Sequence, residues 1–191
     1  MRSFVLYSRK GRTDNRFRVE NLIDAGRMDL VCRCITSALW LSHKARDDTK
    51  LFVNLNGPTK PPVTICFDGS KLIKVYVDEK ANANWIKKLL SLKFGKEWMQ
   101  VEGTKISKKS FQDIIKEAEG KIYVLHERGT PIRDVKLGKN PIFVMGDQIG
   151  LPEKEEKFAL RYGEKISLGK NVYLVSNCIS ILNWICDDRG I

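Results

Sequence analysis

Side chains able to do chemistry unaided are sparse in this chain. The five cysteines, Cys32, Cys34, Cys66, Cys178 and Cys186, are odd in number and form no C-x-x-C pair, so they indicate neither a disulfide framework nor a zinc ribbon. Cys32 and Cys34 fall within an apolar helical pattern and read as core thiols. The two histidines, His43 and His126, are too few to build a catalytic metal site with these cysteines, and no Ser/His/Asp set is visible. Any reaction must therefore draw on a cofactor or on positioning. What the chain does offer is glycine directly after short apolar runs. Three late turns have this form: Leu125-His126-Glu127-Arg128-Gly129, Met145-Gly146-Asp147-Gln148-Ile149-Gly150-Leu151-Pro152 and Ile166-Ser167-Leu168-Gly169. Glycine there lets the backbone approach a ligand closely, and amide and carbonyl groups can read an adenine edge or ribose hydroxyls without charged side chains. None of the three is a P-loop or a G-x-G-x-x-G turn, and ordinary turns carry such glycines too.

Charge supplies the second signal. The chain has 34 Lys and Arg against 23 Asp and Glu, a net charge of +11. The excess is uneven: residues 1–60 carry 12 cations and 6 anions, residues 121–191 carry 11 and 9. Within 1–18 stand Arg2, Arg9, Lys10, Arg12, Arg16 and Arg18 against Asp14 alone. Arginine suits forked contacts to phosphate, so the cluster points to nucleic acid as partner; a solvated surface would use the same residues. At 191 residues, 42% apolar and 30% charged, the chain is sized for one domain with its own core and is neither disordered nor collagen-like. No apolar run approaches the length of a membrane span, and residues 1–10 are too short and basic for a signal peptide, so a soluble, cytoplasmic protein is expected.

The elements that must position these loops follow from periodicity. Ser3–Tyr7 and Leu51–Leu55 read as strands, and Val63–Phe67 and Leu72–Tyr76 flank Asp68-Gly69 as a hairpin. Asp29 is placed to cap a helix running to about His43; Asn84–Phe94 and Lys108–Glu119 read as further helices. Ile122–Leu125, Ile142–Met145 and Lys165–Leu168 are short buried strands. Pro152–Tyr162 is a helix with Pro in its first turn, and Cys178–Cys186 is the last helix. Strands alternating with helices predict an α/β fold with a largely parallel sheet and no internal domain break.

The wording of the late loops carries a resemblance. Ile142-Phe143-Val144-Met145-Gly146-Asp147-Gln148-Ile149-Gly150-Leu151-Pro152, then Ile166-Ser167-Leu168-Gly169 followed by Asn177-Cys178-Ile179-Ser180-Ile181-Leu182-Asn183, resemble the second and third motifs of the SPOUT methyltransferases. Earlier stretches narrow the family. Ala25-Gly26-Arg27-Met28-Asp29-Leu30-Val31-Cys32-Arg33-Cys34, Leu41-Ser42-His43, Pro61-Pro62-Val63 and Tyr123-Val124-Leu125-His126 resemble the archaeal tRNA pseudouridine-54 N1-methyltransferases. The likeness runs almost end to end. Family members tend to carry an Asp before the Leu where this chain has Glu20-Asn21-Leu22.

The resemblance implies a single SPOUT domain over 1–191, with residues 1–120 facing RNA and 121–191 forming a C-terminal trefoil knot that binds S-adenosylmethionine. By carry-over, Leu125, Gly146, Asp147, Ile149, Gly150, Ile166, Ser167, Leu168, Gly169 and Cys178 would line the cofactor site. The reaction would move the sulfonium methyl to N1 of a pseudouridine, by proximity and orientation more than by side-chain chemistry. A carboxylate that accepts the N1 proton would help, and Asp147, Glu20 and Asp24 are the candidates. Cys178, opening the last helix, would lie beside the bound methionine where the helix dipole favours a thiolate. Arg9, Lys10, Arg12, Arg16, Arg27 and Arg33 would hold RNA, although Arg27 could equally clamp Asp29. Trp40, Trp85, Trp98 and Trp184 are available for stacking or for the core. A twofold homodimer is implied, with Trp184 near the contact, and no metal. Two rival readings are the same chemistry on a ribosomal pseudouridine, and a basic RNA-binding module that does no catalysis.

Overall fold

A computed structural model describes residues 1–74 and 76–191. An eight-stranded sheet runs through the middle in the order β4-β5-β3-β2-β1-β7-β6-β8. Its strands are β1 (Arg2–Ser8), β2 (Thr49–Leu55), β3 (Val63–Asp68), β4 (Met99–Val101), β5 (Thr104–Ser107), β6 (Lys121–Pro131), β7 (Pro141–Gly146) and β8 (Gly163–Ser167). The pairs β1–β2, β1–β7, β6–β7 and β6–β8 are parallel, whereas β2–β3, β3–β5 and β4–β5 are antiparallel. The sheet is thus mostly parallel, with an antiparallel extension at one side.

Helices cover both faces, which is why the central strands are apolar without alternation. Phe4, Leu6, Tyr123, Phe143, Met145 and Ile166 face α1 (Met28–Leu39), α2 (Glu79–Leu90) and α5 (Val175–Asp188). Val5, Ile122, Val124, Ile142 and Val144 face α3 (Phe111–Lys116) and α4 (Glu153–Ala159). Arg2 pins the C-terminal end to the middle of the sheet. Its buried guanidinium donates to Asp48 and Asp187 at 2.7 Å each, to the Asn183 carbonyl at 2.9 Å and to the Ile191 carbonyl at 2.8 Å. Arg189, just past α5, donates to the Ile132 and Val135 carbonyls at 2.9 and 2.8 Å.

Several boundaries differ from the sequence reading. Asp29 does not cap α1: it is buried in the first turn, and Arg27, in the left-handed conformation, precedes the helix. The helix stops at Leu39 because Trp40 turns extended and bridges to Ala45. β3 is real, but it pairs with β2 and β5. Of the expected partner Leu72–Tyr76, Val75 lies outside the described residues, and 72–74 and 76 form no strand. α2 starts at Glu79, five residues before Asn84 and directly after the cap Asp78, whose side chain accepts from the Ala81 amide. α3 is shorter than expected because Ser110 and Asp113 close a capping box at its start and Glu117 ends it. α5 begins three residues before Cys178, so that cysteine sits one turn inside the helix and does not open it. The short pair β4–β5 has no counterpart in the sequence reading.

Candidate cofactor and RNA site

The parallel strands β1, β2, β6, β7 and β8 all end on one edge of the sheet, where ligands of such folds bind. Three loops named by the sequence meet there. Leu125 and Ile166 are register partners on β6 and β8, and Thr130 pairs with Ile166 again, so the strand leaves β8 after Leu125 and returns to it. Ile166 is fully buried and belongs to the core, while Leu125 is half-buried at its rim. Gly146 ends β7, and a Cβ there would strike the backbone of Gly150 and Leu151, which fold back over it. Gly150 and Gly169 take φ of 86° and 126°, and a Cβ on either would meet open space. Ile149 points outward, 44% exposed. The Ser167 hydroxyl bonds both the amide and the carbonyl of Gly169 at 3.1 Å, and Leu168 is half-buried beside it. These loops bring apolar side chains, backbone polar groups and open glycine positions to one edge of the sheet, the kinds of group that can read an uncharged heterocycle and a ribose.

Asp147 is buried, and both of its carboxylate oxygens are taken. One accepts the Arg9 amide at 2.7 Å, the other the Ile149 amide at 3.0 Å. Its own amide donates to the Tyr7 carbonyl and its carbonyl accepts from Gly150. These bonds tie the loop after β1 to the loop after β7. Glu20 is exposed in a turn and makes no hydrogen bond among the described residues, so nothing joins it to these loops. Asp24 is held by Asn21 at 2.5 Å. Cys178 is buried, with its thiol 3.8 Å from the Tyr173 carbonyl. Burial pushes the thiol up to about 11, which overturns the expected thiolate: the dipole is strongest in the first turn, and this side chain is one turn in and dry.

The cations divide sharply. Arg12 forks Asp14 at 2.8 and 2.7 Å and holds its carboxyl below the usual carboxylate range. Arg27 forks Asp29 at 2.9 and 3.1 Å, and Arg33 reaches the same carboxylate at 2.6 Å. Asp29 remains ionised despite its burial because those two guanidinium groups outweigh the cost of leaving water. These three arginines are therefore carboxylate-paired in the free protein, the clamp that the sequence offered as the second reading of Arg27. Arg9 donates to the Gly150 carbonyl at 3.3 Å. Lys10 and Arg16 stand exposed without an ion pair among the described residues. The backbone that carries them is wedged in place, since a Cβ on Gly26 or Gly57 would strike the Lys10 carbonyl. Trp40, Trp85 and Trp98 are half-buried, and Trp184 is 65% exposed.

Sequence reasoning missed the neighbourhood of Tyr7. Tyr7, Asn56, Pro61, Pro62, Phe111 and Glu155 line a cleft of about 360 Å³ beside Gly146, on the face of α3 and α4. Burial and then Glu155 raise the Tyr7 hydroxyl above its ordinary value. The only forewarning was the Pro61-Pro62 pair. Among the described residues no three His, Cys, Asp or Glu side chains gather as metal ligands, and no helix is long and apolar enough to cross a membrane.

Comparison with known proteins adds to this geometry. The family model for S-adenosylmethionine-dependent RNA methyltransferases matches residues 1–191. The chain is 39% identical to the tRNA (pseudouridine(54)-N(1))-methyltransferase of Methanocella arvoryzae over 99% of its own length and 100% of the relative's. It is 34% identical to the enzyme of the same name from Thermococcus kodakarensis, covering 97% and 98% of the two chains. Among solved structures it is similar to Archaeoglobus fulgidus Nep1 bound to S-adenosylhomocysteine, with a TM-score of 0.67, 13% identity and 99% of each chain covered. That last likeness shows a shared fold.

Proposed function

The chain belongs to the family of S-adenosylmethionine-dependent RNA methyltransferases, and we propose from that premise that it methylates N1 of pseudouridine at position 54 of tRNA. The observation that carries this reading is the end-to-end match to relatives of that name, 39% and 34% identical with no long unmatched segment in either chain. S-adenosylmethionine, when bound, supplies an activated methyl group, so little covalent chemistry is left to the protein.

What the chain's own residues do is hold and orient. Leu125, Ile149 and Leu168 would flank the adenine, and Gly146, Gly150, Ser167 and Gly169 would meet its edge and the ribose with backbone groups. Ile166 supports that cradle from the core, and Cys178 lines it as a neutral thiol. Asp147 holds the loop in register with the cationic segment, so that the cofactor and the RNA meet one edge. Lys10 and Arg16 are free to take phosphates at once; Arg9, Arg12, Arg27 and Arg33 would do so only by exchanging a carbonyl or carboxylate for RNA. No step of this transfer requires a metal.

In the same reading residues 121–191 form the trefoil knot, residues 1–120 face RNA, and the whole is one domain. Support for the knot is the double visit of β6 to Ile166 and the grip of Arg189 on the 132–135 segment. A cytoplasmic homodimer completes the reading. It is supported by the run of exposed apolar side chains Val172, Tyr173 and Leu174 and by the exposed Trp184.

The test is methyl transfer from labelled S-adenosylmethionine to two tRNAs that differ only in carrying pseudouridine or uridine at position 54. Label confined to the pseudouridine tRNA is the expected result. Label in both would overturn the base requirement, and label in neither would overturn the substrate.

A further inference from the structure

The ligand edge of the sheet extends beyond the parallel strands. β5 runs antiparallel to β3, and β3 antiparallel to β2, so β5 points the same way as β1 and β7. Lys108, which follows β5, and Lys60, which precedes β3, therefore emerge on the same edge as the cofactor loops. Hydrogen bonds join the loops in series. Arg9 is tied to Asp147, and the Lys60 amide donates to Thr13 Oγ1 at 2.9 Å. The Lys108 ammonium donates to the Lys60 carbonyl at 2.5 Å, and the Lys108 amide to the Gly95 carbonyl at 2.7 Å.

At the end of this series lies a cleft of about 510 Å³ lined by Lys93, Phe94, Gly95, Glu97, Trp98 and Met99. Ammonium groups stand over its aromatic rings: Lys108 is 5.4 Å from the Phe94 centroid and Lys109 5.9 Å from that of Trp98. Between Lys93 and Lys109 there are five lysines and two glutamates. Three of the neighbouring acids are already engaged, Glu102 with Lys88, Glu117 with Lys109 and Asp113 with Lys96, while Glu97 in the lining forms no ion pair among the described residues. Lys60, Lys93 and Lys108 form no ion pair among the described residues. Burial, and then the nearby Lys60 ammonium, hold Lys108 below the usual lysine range. Glu97 acts on Lys109 instead. Two cations kept close without a counterion favour an incoming anion, and aromatic rings beside them favour a base.

We propose that the Phe94–Trp98 cleft, with Lys60 and Lys108, is a second RNA-contact surface that takes backbone phosphates and one unstacked base of tRNA outside the T-loop. The distance argues for a separate contact. Four strand spacings separate β5 from β7, about 19 Å, farther than the nucleotide being methylated can span. The inference rests on tRNA being the substrate, and it specifies that the enzyme reads more of the molecule than one loop.

The test compares full-length pseudouridine-containing tRNA with an isolated T-arm hairpin carrying the same base. The variants are Lys93→Ala/Lys108→Ala and, separately, Trp98→Ala. For the lysine pair, KM for full-length tRNA rises about tenfold with kcat held, and the slope of log Kd against log salt shrinks by about 1.4, two single-strand phosphate contacts. KM for the hairpin stays at the wild-type value, and affinity for S-adenosylmethionine reports an intact fold. An unchanged KM for full-length tRNA overturns the proposal, and an equal loss on both RNAs overturns its placement outside the T-loop. Trp98 also packs on Phe52, so the lysine pair decides if Trp98→Ala fails to fold. A wild-type protein that methylates neither RNA would defeat the reaction assignment alone, because filter binding of the same variants to tRNA still reads this surface.

Discussion

Two kinds of loop lie side by side on one edge of this sheet. The loops after β6, β7 and β8 present backbone groups and glycines, and their shape leaves no room for a Cβ at Gly146. The loops after β1 and β5 present lysines and arginines on long stems, some locked to carboxylates and some free. On the proposed reading the first surface selects by shape and the second by charge. A single methyl group should ruin the first and leave the second almost intact. Salt should weaken the second and leave the first alone.

The largest expected effect tests that claim directly. Gly146→Ala forces a Cβ into the 150–151 backbone, so affinity for S-adenosylmethionine should fall at least about a hundredfold by calorimetry. Affinity for tRNA in filter binding should change little, and a comparable loss of both would erase the distinction. Asp147→Ala cuts the tie between the two surfaces. Both ligands should then bind about tenfold more weakly, since a buried carboxylate bonded to two amides is lost.

Smaller effects sort the cations. Lys10→Ala with Arg16→Ala should lower the salt slope of tRNA binding by about 1.4 and leave melting unchanged. Arg12→Ala should instead cost up to about 1 kcal/mol of stability, because its partner Asp14 is mostly buried. The pH dependence has a defined sign. Asp14 is held below its unfolded value, first by the Arg12 hydrogen bond, so its contribution is present above about pH 4 and is lost as pH falls through its lower folded value. Acid melting curves of Arg12→Ala should lack that loss. Smallest of all, Cys178→Ser should keep activity within about twofold from pH 7 to 9, since a thiol at about 11 carries no charge there. A steep rise in wild-type activity across that range that Cys178→Ser abolishes would restore the thiolate.

Much of the architecture was legible as runs of apolar residues. Val5, Val124 and Val144 face one helical layer, while Phe4, Tyr123 and Phe143 face the other, so a strand buried on both sides shows no alternation and cannot be mistaken for a surface strand. The antiparallel extension was not legible. β4 is three residues long and largely exposed, and β5 is only four residues long with Ile106 as its single apolar side chain, so neither announces itself without its partner. Asp29 misled for a physical reason: an acid ahead of an apolar run has the signature of a cap, but the helix starts one residue earlier, and Arg27 and Arg33 hold the carboxylate inside its first turn. Cys178 misled in the same way, because its distance from the helix start and its burial are both tertiary facts.

The residue order by itself determined the three glycine-bearing loops, the cationic first segment and the apolar strands that carry them, since conformational freedom at glycine, charge and hydrophobicity are properties of single residues and their neighbours. It also determined the family, because motif wording survives in a linear string. Which of the possible local pairs form was decided in three dimensions. Arg12 and Arg16 both stand two residues from Asp14, yet only the Arg12 guanidinium forks that carboxylate, as Arg27 and Arg33 hold Asp29. The alignment of β5 with β1 likewise depends on two antiparallel pairings between segments far apart in the chain. Pairing of that kind follows from packing across the whole sheet and leaves no local mark on the residues it brings to one edge.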